Sequence, residues 1–403
     1  MMQNKDTLVI VTPDHSLGCA GQTIQIFAKE LAKKGRDVKV FFLDSIGYDA
    51  LQHYVETNKV RTILTNSIYF DDGEKYNNAV QFLKYCKKRS IQVIDIAHFG
   101  KFDPTVDALL YKRLFVSQTL LLKYCLIAQK NGFSIERYDY LYNPLDLKLP
   151  ASPSGGFTLD FSSSTKKFFT VGRIGRANKD KWDDAIIKIA PYVLKRIPNC
   201  RFIVRSLPDD YRTRIPHQLL EKFTILPETT NRKEIVKTIR ACDVLLQTSQ
   251  IGESFGCAIA EGMALGKPII TNSTDFLAPV FFDRDNAQVE LVEDTMNGFV
   301  ENTPEKMAQR IIELYNNRSL YEKISRANIQ KARELFNTEK LTNRLEGFLG
   351  GNIDSGQFLP LPLSEYKNRL KKEPLLAIIK LNFHYLLRRM KRKLTHVGLL
   401  ECC

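Results

Sequence analysis

The segment Gly252 to Glu261, GESFGCAIAE, sets two glutamates eight positions apart around a Phe-Gly turn. Gly252 and Gly256 permit close backbone approach, and Ala258 to Leu265 reads as a helix beginning near Phe255 or Gly256. A helix N-terminus offers unpaired N–H groups and a partial positive charge, which suits a phosphate or a hydroxyl-rich anion. If both glutamates were helical, roughly 12 Å of axial rise would separate Glu253 from Glu261, at ~1.5 Å per residue. A retaining glycosidase needs its two carboxylates only about 5 Å apart, so the spacing excludes that dyad. It fits instead the two ends of one extended ligand, such as the sugar and the ribose of a sugar nucleotide.

Other residues with chemical potential flank short apolar runs. VGRIGRANKDKW places Arg173 at the end of a strand and Lys179 and Lys181 a few residues on. SLGCAG supplies Gly18 and Gly21 after the first strand, and VIDIAHFGKFD ends a buried strand near His98, with Asp95 read as structural. The acidic pairs Asp71-Asp72, Asp183-Asp184 and Asp209-Asp210 read as solvated turns and helix starts.

These residues need a scaffold, and the chain has room for one. Its 403 residues and 44% apolar content predict two medium domains with buried cores. DTLVIVTP, RDVKVFFLD, VRTILTN, IQVIDIAHF and LFVSQ are short apolar strands separated by polar or helical stretches. The helix QTIQIFAKELAKKG puts Ile24, Phe27, Ala28, Leu31 and Ala32 on one face and stops at Gly35. Residues 1–150 form a first α/β domain, 151–166 a Ser/Gly-rich linker, and 167–350 a second α/β domain. In the second, KKFFTVGRI, CRFIVRS, FTILPE, DVLLQTS and KPIITNS alternate with helices, one from about Trp182 to Leu194, and helices from about Pro304 to Phe348 return toward the first domain.

Residues 351–403 form a basic tail. Net charge is +14, and Tyr366 to Thr395 carries +9 of it on an amphipathic periodicity. Attachment of 366–395 to an anionic membrane surface and packing on the N-terminal domain both remain open readings. No nucleic-acid motif accompanies the charge. The eight cysteines lack a C-x-x-C pair and sit mostly in apolar runs, as buried free thiols do, which favours a reducing, cytoplasmic setting. Apolar runs fall short of signal-peptide or membrane-spanning length.

E-x(7)-E with an internal Phe-Gly, preceded by ACDVLLQTS and followed by GMALGKPII, resembles the signature of glycosyltransferase family 4, retaining enzymes of the two-Rossmann GT-B fold. The resemblance runs over most of residues 8 to 348, through VSQ at Val116 to Gln118, YNPLD at Tyr142 to Asp146, VGRI at Val171 to Ile174 and MNGFV at Met296 to Val300. It implies a metal-independent transfer of a sugar from a nucleotide-diphosphate donor to a glycan or lipid-linked acceptor hydroxyl, with no cofactor. Under it, Glu253 and the backbone of Ser254, Phe255 and Gly256 hold the donor sugar, and Glu261 holds the ribose. Arg173 and a lysine clamp the pyrophosphate, Lys181 being favoured over Lys179 by the following Trp182 and helix. Gly18 and Gly21 lie against the donor phosphates and His98 approaches the sugar, although a plain loop histidine is an equal reading. RSLPDDY at Arg205 to Tyr211 departs from the family's glycine-rich turn and leaves the base open. A sugar-nucleotide epimerase of the same fold and a non-catalytic membrane-surface binding protein are the alternatives.

Overall fold

A computed structural model describes residues 7–13, 18–69, 73–100, 102–145, 168–179, 181–274 and 285–350. The linker 151–166, the basic segment 366–395 and the pair Asp71-Asp72 lie outside the described residues.

Two six-stranded, all-parallel sheets carry the architecture. In the first, β1 (Leu8–Thr12), β2 (Val38–Phe42), β3 (Thr62–Thr65), β4 (Gln92–Ala97), β5 (Lys112–Phe115) and β6 (Tyr138–Tyr140) stand in the order β2-β1-β3-β4-β5-β6. In the second, β7 (Phe169–Ile174), β8 (Cys200–Arg205), β9 (Phe223–Leu226), β10 (Val244–Gln247), β11 (Ile269–Thr271) and β12 (Gly298–Val300) stand in the order β12-β11-β10-β7-β8-β9. Parallel strands must be joined by crossovers, and helices supply them, covering both faces; hence strands such as LVIVT are buried at every position.

Three apolar clusters fill the layers. One packs the outer face of the first sheet against the Leu43–Thr57 and Glu74–Lys88 helices, and another packs Trp182 and the Ala185–Arg196 helix on the second sheet. The third is shared by both halves. It joins Leu8, Phe27 and Tyr142 to Phe255, Ile259 and Leu291, and continues into Phe336, Leu345 and Phe348 of the C-terminal helices.

Among the described residues those helices are Pro304–Asn316, Arg318–Leu335 and Thr338–Gly350. The last packs on the Cys19–Lys33 helix, where Lys34 pairs with Glu346 at 3.2 Å, while Arg344 pairs with Asp139 at 2.8 Å.

Local departures from the sequence reading have local causes. The helix expected from Trp182 begins at Ala185, because Asp183 Oδ1 accepts from the Ala185 N–H and ends the preceding turn. RDVKVFFLD leaves the sheet at Phe42, and Leu43 and Asp44 already belong to a helix that kinks at Gly47. On the Cys19–Lys33 helix, Ile24, Phe27 and Leu31 are buried and Ala28 half-buried, but Ala32 is exposed.

Candidate functional site

In each sheet the strand order reverses once, between β1 and β3 and between β7 and β10. Crevices at the C-terminal ends of strands open at such points. In the C-terminal half, β10 runs out into Thr248 to Gly256, and the Cys257–Ala264 helix follows with Gly256 as its N-cap. Gly252 has φ +75°, and a Cβ there would lie 1.7 Å from the Asp285 carbonyl oxygen, so this turn admits no side chain. Gly256 has φ +90°, which turns the chain into the helix. The N–H groups of Ser254, Phe255 and Gly256 find no acceptor among the described residues.

Glu253 is gripped by its backbone. Its N–H donates to Gln288 Oε1 at 2.9 Å, and its carbonyl accepts from the Ala287 N–H at 2.8 Å. Its side chain meets Lys181, with Nζ 2.8 Å from Oε2 and both groups part-exposed. Lys179 points elsewhere, pairing at 2.7 Å with Asp210 on the surface. The loop therefore brings Lys181, not Lys179, to the glutamate.

Glu261 lies one turn into the same helix and is 4% exposed, with Oε1 taking a hydrogen bond from Arg232. Burial pushes its carboxyl up and Arg232 pulls it back. Phe255 contributes only backbone to the crevice, since its ring is buried against Tyr142 and Phe336 at 6.3 and 5.5 Å. Cys257, the first residue of the helix, is disulfide-bonded and departs from the free-thiol expectation, whereas Cys86, Cys125, Cys200 and Cys242 are buried free thiols.

Arg173 is also turned inward. Its guanidinium lies 4.5 Å over the Trp182 ring and donates to Ile174 O, Gln247 Oε1 and Thr248 O. Burial lowers its pKa, with Asp183 and Glu253 opposing. Three of its four Nη hydrogens thus tie the end of β7 to the end of β10, and Nε has no partner among the described residues. Arg176, three residues on, faces the other half of the protein: a Cβ on Gly18 would stand 2.9 Å from Arg176 Nη2. Sequence reasoning passed over Arg176, although its place just beyond the end of β7, in GRIGR, was the available signal. Gly18 is the N-cap of the Cys19–Lys33 helix, and Gly21, read as part of the loop, is that helix's third residue.

The N-terminal crevice is a cavity of about 1150 Å³ that starts at Thr12, Asn66 and His98, passes Arg176, and extends along the Leu43–Thr57 and Glu74–Lys88 helices to Lys88. His98 is 6% exposed, and its Nε2 has no partner among the described residues. Burial, and secondarily the charge of Arg176, lowers its pKa to about 3, so the imidazole is neutral at ordinary pH. Asp95 stands behind this wall with both oxygens occupied, accepting from Thr65 Oγ1 at 2.8 Å, the Ser67 N–H at 2.9 Å and Tyr69 Oη at 2.5 Å. It also lies 3.4 Å from Arg113 Nε, and that arginine pairs with Asp107 at 2.7 Å. The network fixes Ser67 at φ +52°, and Ser67 Oγ in turn accepts from the His98 N–H. Among the described residues no group of three or more His, Cys, Asp or Glu side chains is assembled that could hold a metal ion, and no helix is long and apolar enough to cross a membrane.

The arrangement has known counterparts in fold. HepE of Anabaena, solved with UDP, superposes with a TM-score of 0.64 at 18% identity over 86% of this chain and 100% of its own. The same protein with UDP-glucose gives 0.60 at 17% identity, over 86% and 99%. A glycosyltransferase from Rickettsia africae gives 0.63 at 14% identity, over 88% and 100%. No curated protein sequence matches the chain. Residues 158–331 match the sequence model of glycosyl transferases group 1, a span that runs from β7 through β12 and takes in Lys181, Glu253 and Glu261. The described residues share the GT-B fold of these structures, and residues 158–331 are similar to the glycosyl transferases group 1 family.

Proposed function

We propose that the protein is a retaining, metal-independent glycosyltransferase that moves a sugar from a nucleotide diphosphate to an acceptor hydroxyl. The observation that carries this reading is the Lys181–Glu253 pair beside the unpaired N–H groups of Ser254 to Gly256. A cation and helix N–H groups suit a diphosphate, and a carboxylate held by its own backbone suits the hydroxyls of the sugar attached to it.

In this reading Lys181 and Arg176 neutralise the charge that grows on the leaving diphosphate, and Glu253 orients the sugar. Arg173, with three Nη hydrogens bonded to the chain, holds the ends of β7 and β10 in place. The acceptor enters through the cavity lined by His98 and the Glu74–Lys88 helix, and its hydroxyl approaches C1 from the face the diphosphate leaves. The C1–O bond to the diphosphate breaks, the bond to the acceptor oxygen forms, and the departing phosphate oxygen takes the acceptor proton. Neutral His98 can accept a hydrogen bond from a sugar or acceptor hydroxyl at its unpartnered Nε2. Glu261, on this account, receives the ribose while Arg232 balances its charge.

HepE was solved with UDP and UDP-glucose, so uridine diphosphate sugars head the donors to be tried. The test is UDP release from a panel of such sugars in the presence of EDTA, with the anomeric configuration of any glycoside read by NMR. Donor hydrolysis with retention supports the proposal. An unbound, unhydrolysed panel, inversion at C1, or full activity of Glu253→Ala overturns it. We further propose that 366–395 docks the enzyme on the cytoplasmic face of an anionic membrane carrying a lipid-linked acceptor; equal sedimentation of residues 1–403 and 1–350 with phosphatidylglycerol vesicles refutes this.

A further inference from the structure

Glu290 belongs to the C-terminal half, yet its side chain is bonded wholly to the N-terminal one. Oε1 accepts from the Gln118 N–H at 3.0 Å and from Tyr142 Oη at 2.5 Å. Oε2 accepts from the Thr119 N–H and Thr119 Oγ1, both at 2.8 Å. Four donors on one carboxylate, two of them the first N–H groups of the Gln118–Lys130 helix, set a negative charge at the positive end of that helix. Five residues earlier, Asp285 makes a second bridge of the same direction, with Oδ1 3.1 Å from Lys123 Nζ on the same helix.

Between these two bridges the segment turns the other way. The Asp285 N–H donates to Ile251 O, the Ala287 N–H donates to Glu253 O, and Gln288 Oε1 accepts from the Glu253 N–H. Gln288 is fully buried. Residues 285–290 therefore hold the backbone of Glu253 with one set of groups and the N-terminal half with another, and only one residue separates Gln288 from Glu290. A contact that a helix needs only for its own stability has no reason to share a segment with the donor glutamate.

We infer that Glu290 is a positioning residue that makes the placement of Glu253 depend on closure of the two halves. When the halves part, the carboxylate loses its four donors, segment 285–290 is released, and the backbone hold on Glu253 loosens. Closing the cleft restores the geometry. The chemical readout rests on the glycosyl-transfer reading above, whereas the closure itself does not.

The test compares wild type with Glu290→Gln, which keeps the size but turns an NH2 toward amide donors, and with Tyr142→Phe, which removes one donor of four. Small-angle scattering should show a larger radius of gyration for unliganded Glu290→Gln than for wild type, with far-UV circular dichroism unchanged. UDP affinity by calorimetry should stay within about threefold, while the turnover number for UDP-sugar hydrolysis falls about tenfold, equivalent to 1.4 kcal/mol; Tyr142→Phe should fall about two- to threefold. Unchanged scattering overturns the coupling, as does a loss of UDP affinity in step with turnover, which would mark a merely structural cap. If wild type hydrolyses no UDP-sugar, the transfer reading falls, and the scattering comparison alone still decides the latch.

Discussion

Removing the charge of Glu253 should tighten nucleotide binding while stopping transfer, an outcome of opposite signs that a general loss of structure does not produce. Lys181 Nζ lies 2.8 Å from Glu253 Oε2. Coulomb's law gives about 1.5 kcal/mol for unit charges at that distance in bulk water and about 6 kcal/mol at an effective dielectric of 20. The side chains are 36% and 23% exposed, which places the pair toward the aqueous end. The cost of ordering two side chains then brings such a pair to about 0.2–1 kcal/mol. A diphosphate that claims Lys181 must break the pair, so Glu253→Gln should lower the Kd for UDP by about 1.4- to 5-fold. The same change withdraws the group that orients the sugar, and loss of such positioning costs about 100-fold in turnover. Titration calorimetry with UDP and a UDP-release assay with its sugars read the two effects separately. Weaker UDP binding by the variant, or turnover within threefold of wild type, refutes the assignment.

The two lysines of the loop should separate in the same assays: Lys179→Ala, which removes a surface pair, changes UDP affinity and turnover less than about twofold, and Lys181→Ala weakens UDP at least about tenfold; equal effects contradict the geometry. His98 is held neutral with a pKa of about 3, below its ordinary 6.5, so the unfolded chain binds more protons as pH falls. Stability due to this site is complete above about pH 6.5 and is lost toward pH 3 at about 1.4 kcal/mol per unit; His98→Gln should flatten that slope in urea melts, and an imidazole NMR titration near pH 6.5 would show the burial argument to be wrong. Asp95→Asn disrupts a carboxylate buried against Arg113 and should cost about 3–5 kcal/mol in urea unfolding, a loss below about 1 kcal/mol being inconsistent with the network.

The strands were legible because parallel strands buried on both faces must be short, continuous apolar runs, and DTLVIVTP or DVLLQTS has no other economical fate. The exit from β2 was not, since VFFLDSIG passes from strand to helix without a capping residue or a break before Gly47. At the site, the spacing of Glu253 and Glu261 pointed to an extended ligand, and the resemblance to glycosyltransferase family 4 supplied their roles and the lysine. The direction of Arg173 could not, because it depends on whether Trp182 offers its ring, and that is settled by packing. Arg176 was signalled only by its place beyond the end of β7, and Glu290 by nothing local, for a further reason. Their partners lie on the other half of the chain, Gly18 and His98 for one and Gln118, Thr119 and Tyr142 for the other. Contacts between distant parts of the chain impose no local period on the sequence.

The docking of Thr338–Gly350 on Cys19–Lys33 makes the N-terminal domain discontinuous in the chain. Its six strands are complete by Tyr140, yet the wall that covers Leu31 and its neighbours is supplied some two hundred residues later, through Lys34–Glu346 and Arg344–Asp139. During synthesis the first sheet therefore waits, with one helix uncovered, until the second domain has been made. Loop closure over that span makes this the slowest contact to form, and its formation commits both halves at once. Separate expression of the two sheets should accordingly give an N-terminal piece that aggregates, and a permuted chain in which Thr338–Gly350 precedes β1 should give one that does not.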